Sequence, residues 1–390
     1  GAMPPARPPP TSKSKEEEEE VLFDFVHADW VQPLFFFAIV WSVCASTDGA
    51  GRSKVDAFLR DLCFTSVVSV RAERRNGKHT RAEMKLNNML PRFGSVYDYA
   101  YFDQSKSRSG WVSWSDLQPS IANTGPKTDM NDLVVPTVDF SRYFHLLDYL
   151  MVSGLPMLIT GPPASGKTFY LHCKVTHGLP ASKYAHVLAH LSAQTLPENL
   201  QRIVEAKLEQ RKRGALGPTG DRKLIVQIED INLPTKDQFG AQPVLELVRQ
   251  LIDQAAWYSV SDPDLTLVED VSVCAAMPVV SDSRLAPIPG RLLRQMHVMH
   301  VSGLSEADIR TIFSHTLKWY HETNGFPTEI LDLEPRICDA SLVVYERVCA
   351  RLRPTPAYPQ YSFSLRDLRR VLEGMCLQTA EDVMDFVDSA

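Results

Sequence analysis

The sequence predicts a parallel α/β sheet with helices on both faces, followed by an all-α lid and preceded by a small helical and hairpin segment. Three observations carry this. Apolar Met157-Leu158-Ile159 run into Gly161-Pro162-Pro163-Ala164-Ser165-Gly166-Lys167-Thr168, which matches G-x-x-x-x-G-K-[ST] and opens an apolar helical pattern. Further apolar runs at 184–191, 224–230 and 271–277 alternate with helical patterns, as in a parallel sheet covered on both faces. After Ser305 every pattern is helical.

The bulk properties are those of a folded, ordinary protein. At 390 residues the chain exceeds what one core sustains, which predicts two or three domains. Hydrophobic residues make up 44% and charged residues 23%, and a net charge of −6 argues against nucleic acid as the main partner. The seven cysteines form no C-x-x-C pair and no zinc spacing, and read as reduced core thiols of a cytosolic protein. The most apolar run, 33–45, is too short to span a bilayer, and no signal peptide is visible, so no membrane role is expected. Gly1-Ala2-Met3 reads as a cleavage scar, which predicts an excised piece of a longer chain.

Taken in order, residues 1–20 combine five prolines with a run of five Glu and are expected to be a disordered tail. Residues 21–130 form the next segment. Leu34, Phe37, Ile39, Val40 and Trp41 predict one helix, and Val55, Phe58, Leu59 and Leu62 a second. Residues 71–81 read as a basic, poorly periodic connector, then 94–99 and 110–114 as a hairpin across a polar turn. The aromatics of that hairpin are expected to pack against a neighbouring domain rather than to stack on a ligand.

Residues 131–304 form the large α/β domain and 305–390 the helical lid. Tyr143, Leu146, Leu147 and Leu150 lie on a helix ending at Gly154. Helices follow at about 197–213 and 243–254, the first ended by a glycine–proline turn at 214–221. Lid helices are expected at 305–320, 334–353 and 365–375.

The octet 161–168 specifies phosphate binding. Gly161 and Gly166 permit a wrapped loop whose N–H groups converge, and the following helix adds its positive dipole end. Lys167 is placed to reach the β- and γ-phosphates, and the Thr168 hydroxyl is the expected Mg²⁺ ligand. With Pro162, Pro163, Ala164, Ser165 and Phe169 these residues make the expected ATP/ADP contact set. Strand 224–230 (LIVQIED) delivers two acids to the sheet's C-terminal edge. Glu229 is assigned to the metal and Asp230 to the attacking water. Relative to the usual Asp-then-Glu order, both carboxylates are displaced by one methylene, which predicts slow hydrolysis. Arg291 and Arg294 are candidate arginine fingers toward a neighbouring site, and Arg366, in the lid, is a candidate γ-phosphate sensor. His297 and His300 lack a third ligand and are read as packing residues.

Residues 36–43, Ser95-Val96-Tyr97-Asp98-Tyr99 and Gly110-Trp111-Val112-Ser113-Trp114 resemble dynein heavy chain. So do Val135-Pro136-Thr137-Val138-Asp139, Leu191-Ser192-Ala193-Gln194-Thr195 and Asp230-Ile231-Asn232-Leu233-Pro234. Gly240-Ala241-Gln242-Pro243 and Phe363-Ser364-Leu365-Arg366-Asp367-Leu368 extend the likeness, in the family's order over 21–375. The series is most similar to the third of six AAA+ modules in the motor ring, preceded by the tail of the second. The resemblance implies a P-loop AAA+ fold, ATP/ADP with Mg²⁺, and membership of a minus-end-directed microtubule motor. In that motor the third module gates how hydrolysis in the first reaches the stalk. It implies Val135, Pro136 and Thr137 near the adenine, Arg366 as sensor, and Arg294 pointing at the second module's site. Where the family's third module has Asp-Asp, this chain has Glu229-Asp230. Residues 278–285 replace a glycine-rich turn and an Asn, which again implies slow turnover.

The implied partners are the neighbouring AAA+ modules of the same heavy chain. Microtubules and dynein intermediate or light chains would be reached only through the parent protein. The piece itself is expected to be monomeric and, without stalk heptads or a microtubule-binding tip, not to walk alone. A cytoskeletal location is implied, and the divergent motifs point to a ciliary or flagellar axoneme rather than cytoplasm. Two other readings stay open: a non-catalytic module with trapped nucleotide, and an AAA+ remodelling ATPase of another family, which would assemble into rings.

Overall fold

The computed structural model describes residues 31–65, 67–73, 79–85, 90–102, 110–117, 130, 133–258, 264–279 and 287–379. The tail expected at 1–20, the polar turn at 103–109 and most of the segment 278–285 lie outside the described residues. The chain divides into two compact units, 1–116 and 117–390.

In the first unit, helix α1 (31–41) and helix α2 (Gly49–Thr65) form where expected. Residues 71–81 differ from the expected connector: β1 (Val67–Glu73) and β2 (His79–Lys85) pair antiparallel, from Val67 opposite Lys85 to Glu73 opposite His79. The high charge density of this stretch hid the alternation of Val67, Ser69 and Arg71 with Val68, Val70 and Ala72. The aromatic hairpin is present, but its first strand is β3 (Tyr99–Phe102), paired with β4 (Gly110–Ser113). Ser95 and Asp98 form a reciprocal capping box that holds Val96–Asp98 in a 3₁₀ turn instead of a strand.

The hairpin's aromatics meet partners within their own unit. Trp114 is fully buried and its indole N–H donates to the Tyr97 carbonyl at 2.9 Å. Trp41 meets Tyr97 and Trp114 edge-on at 5.5 and 6.2 Å, and Trp111 meets Phe37 and Tyr101 at 6.4 and 5.4 Å.

The second unit is built on a five-stranded parallel sheet. Its members are β5 (Met157–Gly161), β6 (Tyr184–His190), β9 (Lys223–Glu229), β12 (Val271–Pro278) and β13 (His297–His300), in the order β13-β5-β12-β9-β6. All four pairings are parallel. Four of these strands follow from their apolar runs; β13 does not, being four residues with a His at each end. Its His300 Nδ1 lies 3.3 Å from Thr160 Oγ1 on β5. Helices α3 (Val138–Val152), α4 (Lys167–Cys173), α5 (Pro197–Glu205), α6 (Pro243–Gln254) and α7 (Gly290–Leu293) accompany the sheet. Leu158, Leu224, Val226, Val244, Leu245 and Ala275 belong to one continuous buried cluster.

The helix expected over 197–213 stops at Glu205. Residues Leu208–Lys212 (β7) instead pair antiparallel with Ala215–Pro218 (β8), so half of the expected glycine–proline turn is strand. Lys212 lies opposite Ala215, leaving Arg213-Gly214 as a two-residue turn with Gly214 at φ 74°. Helix-favouring Lys, Glu, Gln and Arg yield here because β8 also pairs with β11 (Leu265–Val268), which pairs with β10 (Ala256–Tyr258). Together these strands form a second, four-stranded sheet.

The lid comprises α8 (Glu306–Thr323), α9 (Thr328–Leu331), α10 (Glu334–Arg351) and α11 (Leu365–Met375), around buried Leu317, Cys338 and Leu372. All seven cysteines are free. Among the described residues no helix is long and apolar enough to cross a membrane.

Candidate functional site

A cavity of about 750 Å³ opens in the second unit where the loop after β5, the end of β9 and the lid helices α8 and α11 converge. Its lining includes Pro163 to Tyr170, Glu229 and Asp230, Val135 and Thr137, and Arg366. Residues far apart in the chain are thus brought together at the C-terminal edge of the parallel sheet, where such sheets bind ligands.

The loop's glycines are required by its geometry. A Cβ on Gly161 would stand 2.3 Å from the Val301 carbonyl oxygen, so the backbone there admits no side chain. Gly166 lies at φ 86°, and a Cβ there would press against the Tyr170 ring at 3.1 Å. Tyr170 cannot give way, because it is buried and stacked on Tyr143 at 5.4 Å. Ala164 is also left-handed, at φ 60°. From Lys167 the chain becomes helix α4, which passes into a π turn at Lys174–Gly178.

Lys167 is buried, and its ammonium donates to the carbonyls of Gly161 (3.1 Å) and Pro162 (2.7 Å) and to Ser165 Oγ (3.4 Å). Burial lowers its pKa below the usual lysine value; Glu229 opposes the shift and Arg366 adds to it. Arg366 is therefore close enough to Lys167 to be felt electrostatically, although it belongs to the lid.

Glu229, at the end of β9, is buried and held at both oxygens. Thr168 Oγ1 donates to Oε2 at 2.7 Å, and Gln227 Nε2 donates to Oε1 at 2.6 Å. The next residue, Asp230, adopts the left-handed conformation (φ 53°), and among the described residues its carboxylate makes no hydrogen bond. A non-glycine residue in this region is strained, a feature that clusters at functional sites.

The remaining expected residues divide. Val135 and Thr137 line the cavity, and Thr137 Oγ1 also accepts from Phe140 N at 3.1 Å as the N-cap of α3. Pro136 lies between them, half-buried and outside the lining; buried Gly161 and half-buried Pro162 are outside the lining as well. Arg291 and Arg294 are on and just after α7, exposed and away from the cavity; Arg291 stands 3.9 Å from Glu246. Neither arginine contributes to this chain's own cavity.

Several lining residues escaped the sequence reading. Met130, Leu133, Ile309, Ile312 and Leu372 are apolar side chains with no motif of their own, and only the tertiary fold collects them. Gln227 did carry a signal: it is the polar break in an apolar strand, and at two residues before Glu229 it shares a face with it.

The geometry fits a nucleoside polyphosphate with Mg²⁺. A loop that excludes side chains at two points, a buried ammonium and a hydroxyl paired with a carboxylate supply backbone donors, a cation and hard oxygen ligands in one cavity. The dynein heavy chain AAA lid domain matches residues 11–116, and the P-loop containing dynein motor region matches residues 122–304. The chain belongs to the dynein heavy chain family. Among its dynein relatives it is 33% identical to dynein axonemal heavy chain 12 of Rattus norvegicus over 357 residues, 90% of this chain and 11% of that protein. It is 32% identical to dynein axonemal heavy chain 2 of Mus musculus over 91% of this chain and 7% of the relative. For dynein axonemal heavy chain 1 of Homo sapiens the figures are 30%, 92% and 8%. The chain thus spans about a tenth or less of the length of these dyneins, within the motor region.

Proposed function

We propose that this dynein segment is a regulatory AAA+ module that binds ATP or ADP with Mg²⁺ and turns ATP over slowly. Residues 131–304 are its nucleotide-binding domain, 305–390 its lid, and 21–130 the end of the preceding module with the lead-in. The observation that carries this reading is the convergence of Lys167, Thr168, Glu229 and Arg366 on one cavity whose loop admits no side chain at Gly161.

In this reading the loop N–H groups and Lys167 hold the β- and γ-phosphates, Thr168 and Glu229 hold Mg²⁺, and Val135 and Thr137 flank the base. When bound, Mg²⁺ neutralises charge on the phosphate oxygens. Arg366 contacts the γ-phosphate from the lid, which makes lid position depend on whether ATP or ADP is present. Asp230 orients the attacking water with a side chain one methylene shorter than the usual Glu, so turnover is slow. Arg294 and Arg291, which are exposed and outside this cavity's lining, serve the site of an adjoining module of the same heavy chain.

The parent is proposed to be an axonemal dynein acting on microtubules toward the minus end. The axonemal relatives support that location, and microtubules and associated chains are engaged only through the parent. Equilibrium titration with Mg²⁺-ATP and Mg²⁺-ADP beside a Lys167→Ala control tests the reading. Micromolar affinity that disappears in the control is expected. Unchanged affinity in the control, or none in the folded parent sequence, would refute it.

A further inference from the structure

A polar column runs along one face of β9 and β6 and ends at the candidate metal carboxylate. Gln227 lies two residues before Glu229 on β9, so their side chains share one face. On neighbouring β6, His186 pairs in register with Ile225, placing it on that same face one step further back. The contacts are continuous: His186 Nε2 lies 3.3 Å from Gln227 Oε1, Gln227 Nε2 2.6 Å from Glu229 Oε1, and Thr168 Oγ1 2.7 Å from Glu229 Oε2.

The chemistry orders this column. A carboxylate only accepts, so the glutamine must present its NH₂ to Glu229. Its carbonyl is then turned to His186, which donates from Nε2. Gln227 is almost completely buried, at 1% exposure, within a sheet whose neighbouring positions are apolar. A buried amide is retained at a cost unless its bonds are made, and here they are made to the one carboxylate that faces Thr168.

Glu229 has one methylene more than the aspartate usual at a P-loop metal position, about 1.5 Å of added reach. Free at a strand end, so long a carboxylate would sample several rotamers. The Gln227 amide draws Oε1 back along the strand, which leaves Oε2 on the Thr168 hydroxyl.

The geometry points to Gln227, held by His186, as a positioning residue that fixes the long carboxylate of Glu229 on Thr168 and so sets Mg²⁺ coupling at this site. The inference rests on the nucleotide reading above, but its test separates the two. Substituting Gln227→Met keeps length and volume and removes the N–H donor; Gln227→Leu is the second variant if Met does not fold.

The readout is the ratio of ADP affinity with Mg²⁺ to that without it, measured on the whole chain. Loss of an outer-shell partner typically lowers metal affinity about 10–100-fold, so a fall of about tenfold in the ratio is expected, with Mg²⁺-free affinity unchanged. Glu229→Asp in the Gln227→Met background is expected to recover the ratio, because the shorter acid needs no tether, and for the same reason Glu229→Asp alone is expected to leave the ratio near its parent value. An unchanged ratio, or equal losses with and without Mg²⁺, would overturn the inference.

A crystal structure of nucleotide-free Gln227→Met asks the same question without ligand. Glu229 Oε2 parted from Thr168 supports the positioning role, and a retained contact overturns it. Failure of the parent sequence to bind ADP at all would sink the nucleotide reading, leaving the positioning role to be decided by that structure.

Discussion

The sheet and the lid of the second unit are stabilised in opposite ways. Strand β5 is buried at all five positions, and β9 at every position but its first. In the lid, α10 buries Glu334, Cys338 and Leu342 among its 18 residues, and Val343, Val344 and Val371 remain exposed. Lid surfaces are laced instead with exposed pairs, such as Arg310 with Glu306 and Arg369 with Glu373, each of small worth. The sheet therefore fixes the geometry of the phosphate loop and Glu229, while the lid is the part whose position a ligand can shift at low cost. A site with one rigid wall and one adjustable wall suits a sensor of nucleotide state.

The largest expected effect tests that contrast directly. Leu158→Ala, in the middle of β5, should lower unfolding free energy by about 4 kcal/mol, whereas Leu372→Ala in the lid should lower it by about 2 kcal/mol. Urea denaturation measures both. Hydrogen exchange should show the lid variant opening locally and the sheet variant globally; equal, global effects would erase the distinction.

Lys167→Met should weaken ATP binding about 10–100-fold, the worth of a charge-assisted hydrogen bond. It should do so without lowering the melting temperature. Burial depresses the Lys167 pKa, so its charged form carries a folding penalty at pH 7 that is relieved only as pH rises through the depressed value. Removing the charge removes that penalty across the neutral range. A large loss of melting temperature would show that its bonds to the Gly161 and Pro162 carbonyls dominate.

Arg366→Ala should act on the adjustable wall alone, reducing ATP affinity by about tenfold while changing ADP affinity little. Equal losses for both nucleotides would place Arg366 away from the γ-phosphate.

The smallest effect concerns thiols. Burial pushes Cys274 up to about 12 and Cys173, Cys338 and Cys376 up to about 11, so all four stay protonated at pH 8. Alkylation should be slow in the folded protein for all four. Cys338 and Cys376, in the lid, should react before Cys274 in the sheet, because the lid opens first.

The sequence by itself determined what is local and periodic. Buried parallel strands announce themselves as apolar runs, so β5, β6, β9 and β12 were legible, as were α6 and α11 to the residue. The phosphate loop was legible because its glycines and Lys167-Thr168 answer to one short stretch of backbone. Tertiary structure decided everything that depends on partners distant in the chain. Whether 208–212 is helix or strand is settled by pairing with β8, and His297–His300 is a strand because β5 lies beside it. The pairing of Glu229 with Thr168 and Gln227, and the approach of Arg366 to Lys167, likewise exist only once strand order and lid packing are set. Hydrogen bonds and Coulomb forces act over a few ångströms of space, irrespective of separation along the chain.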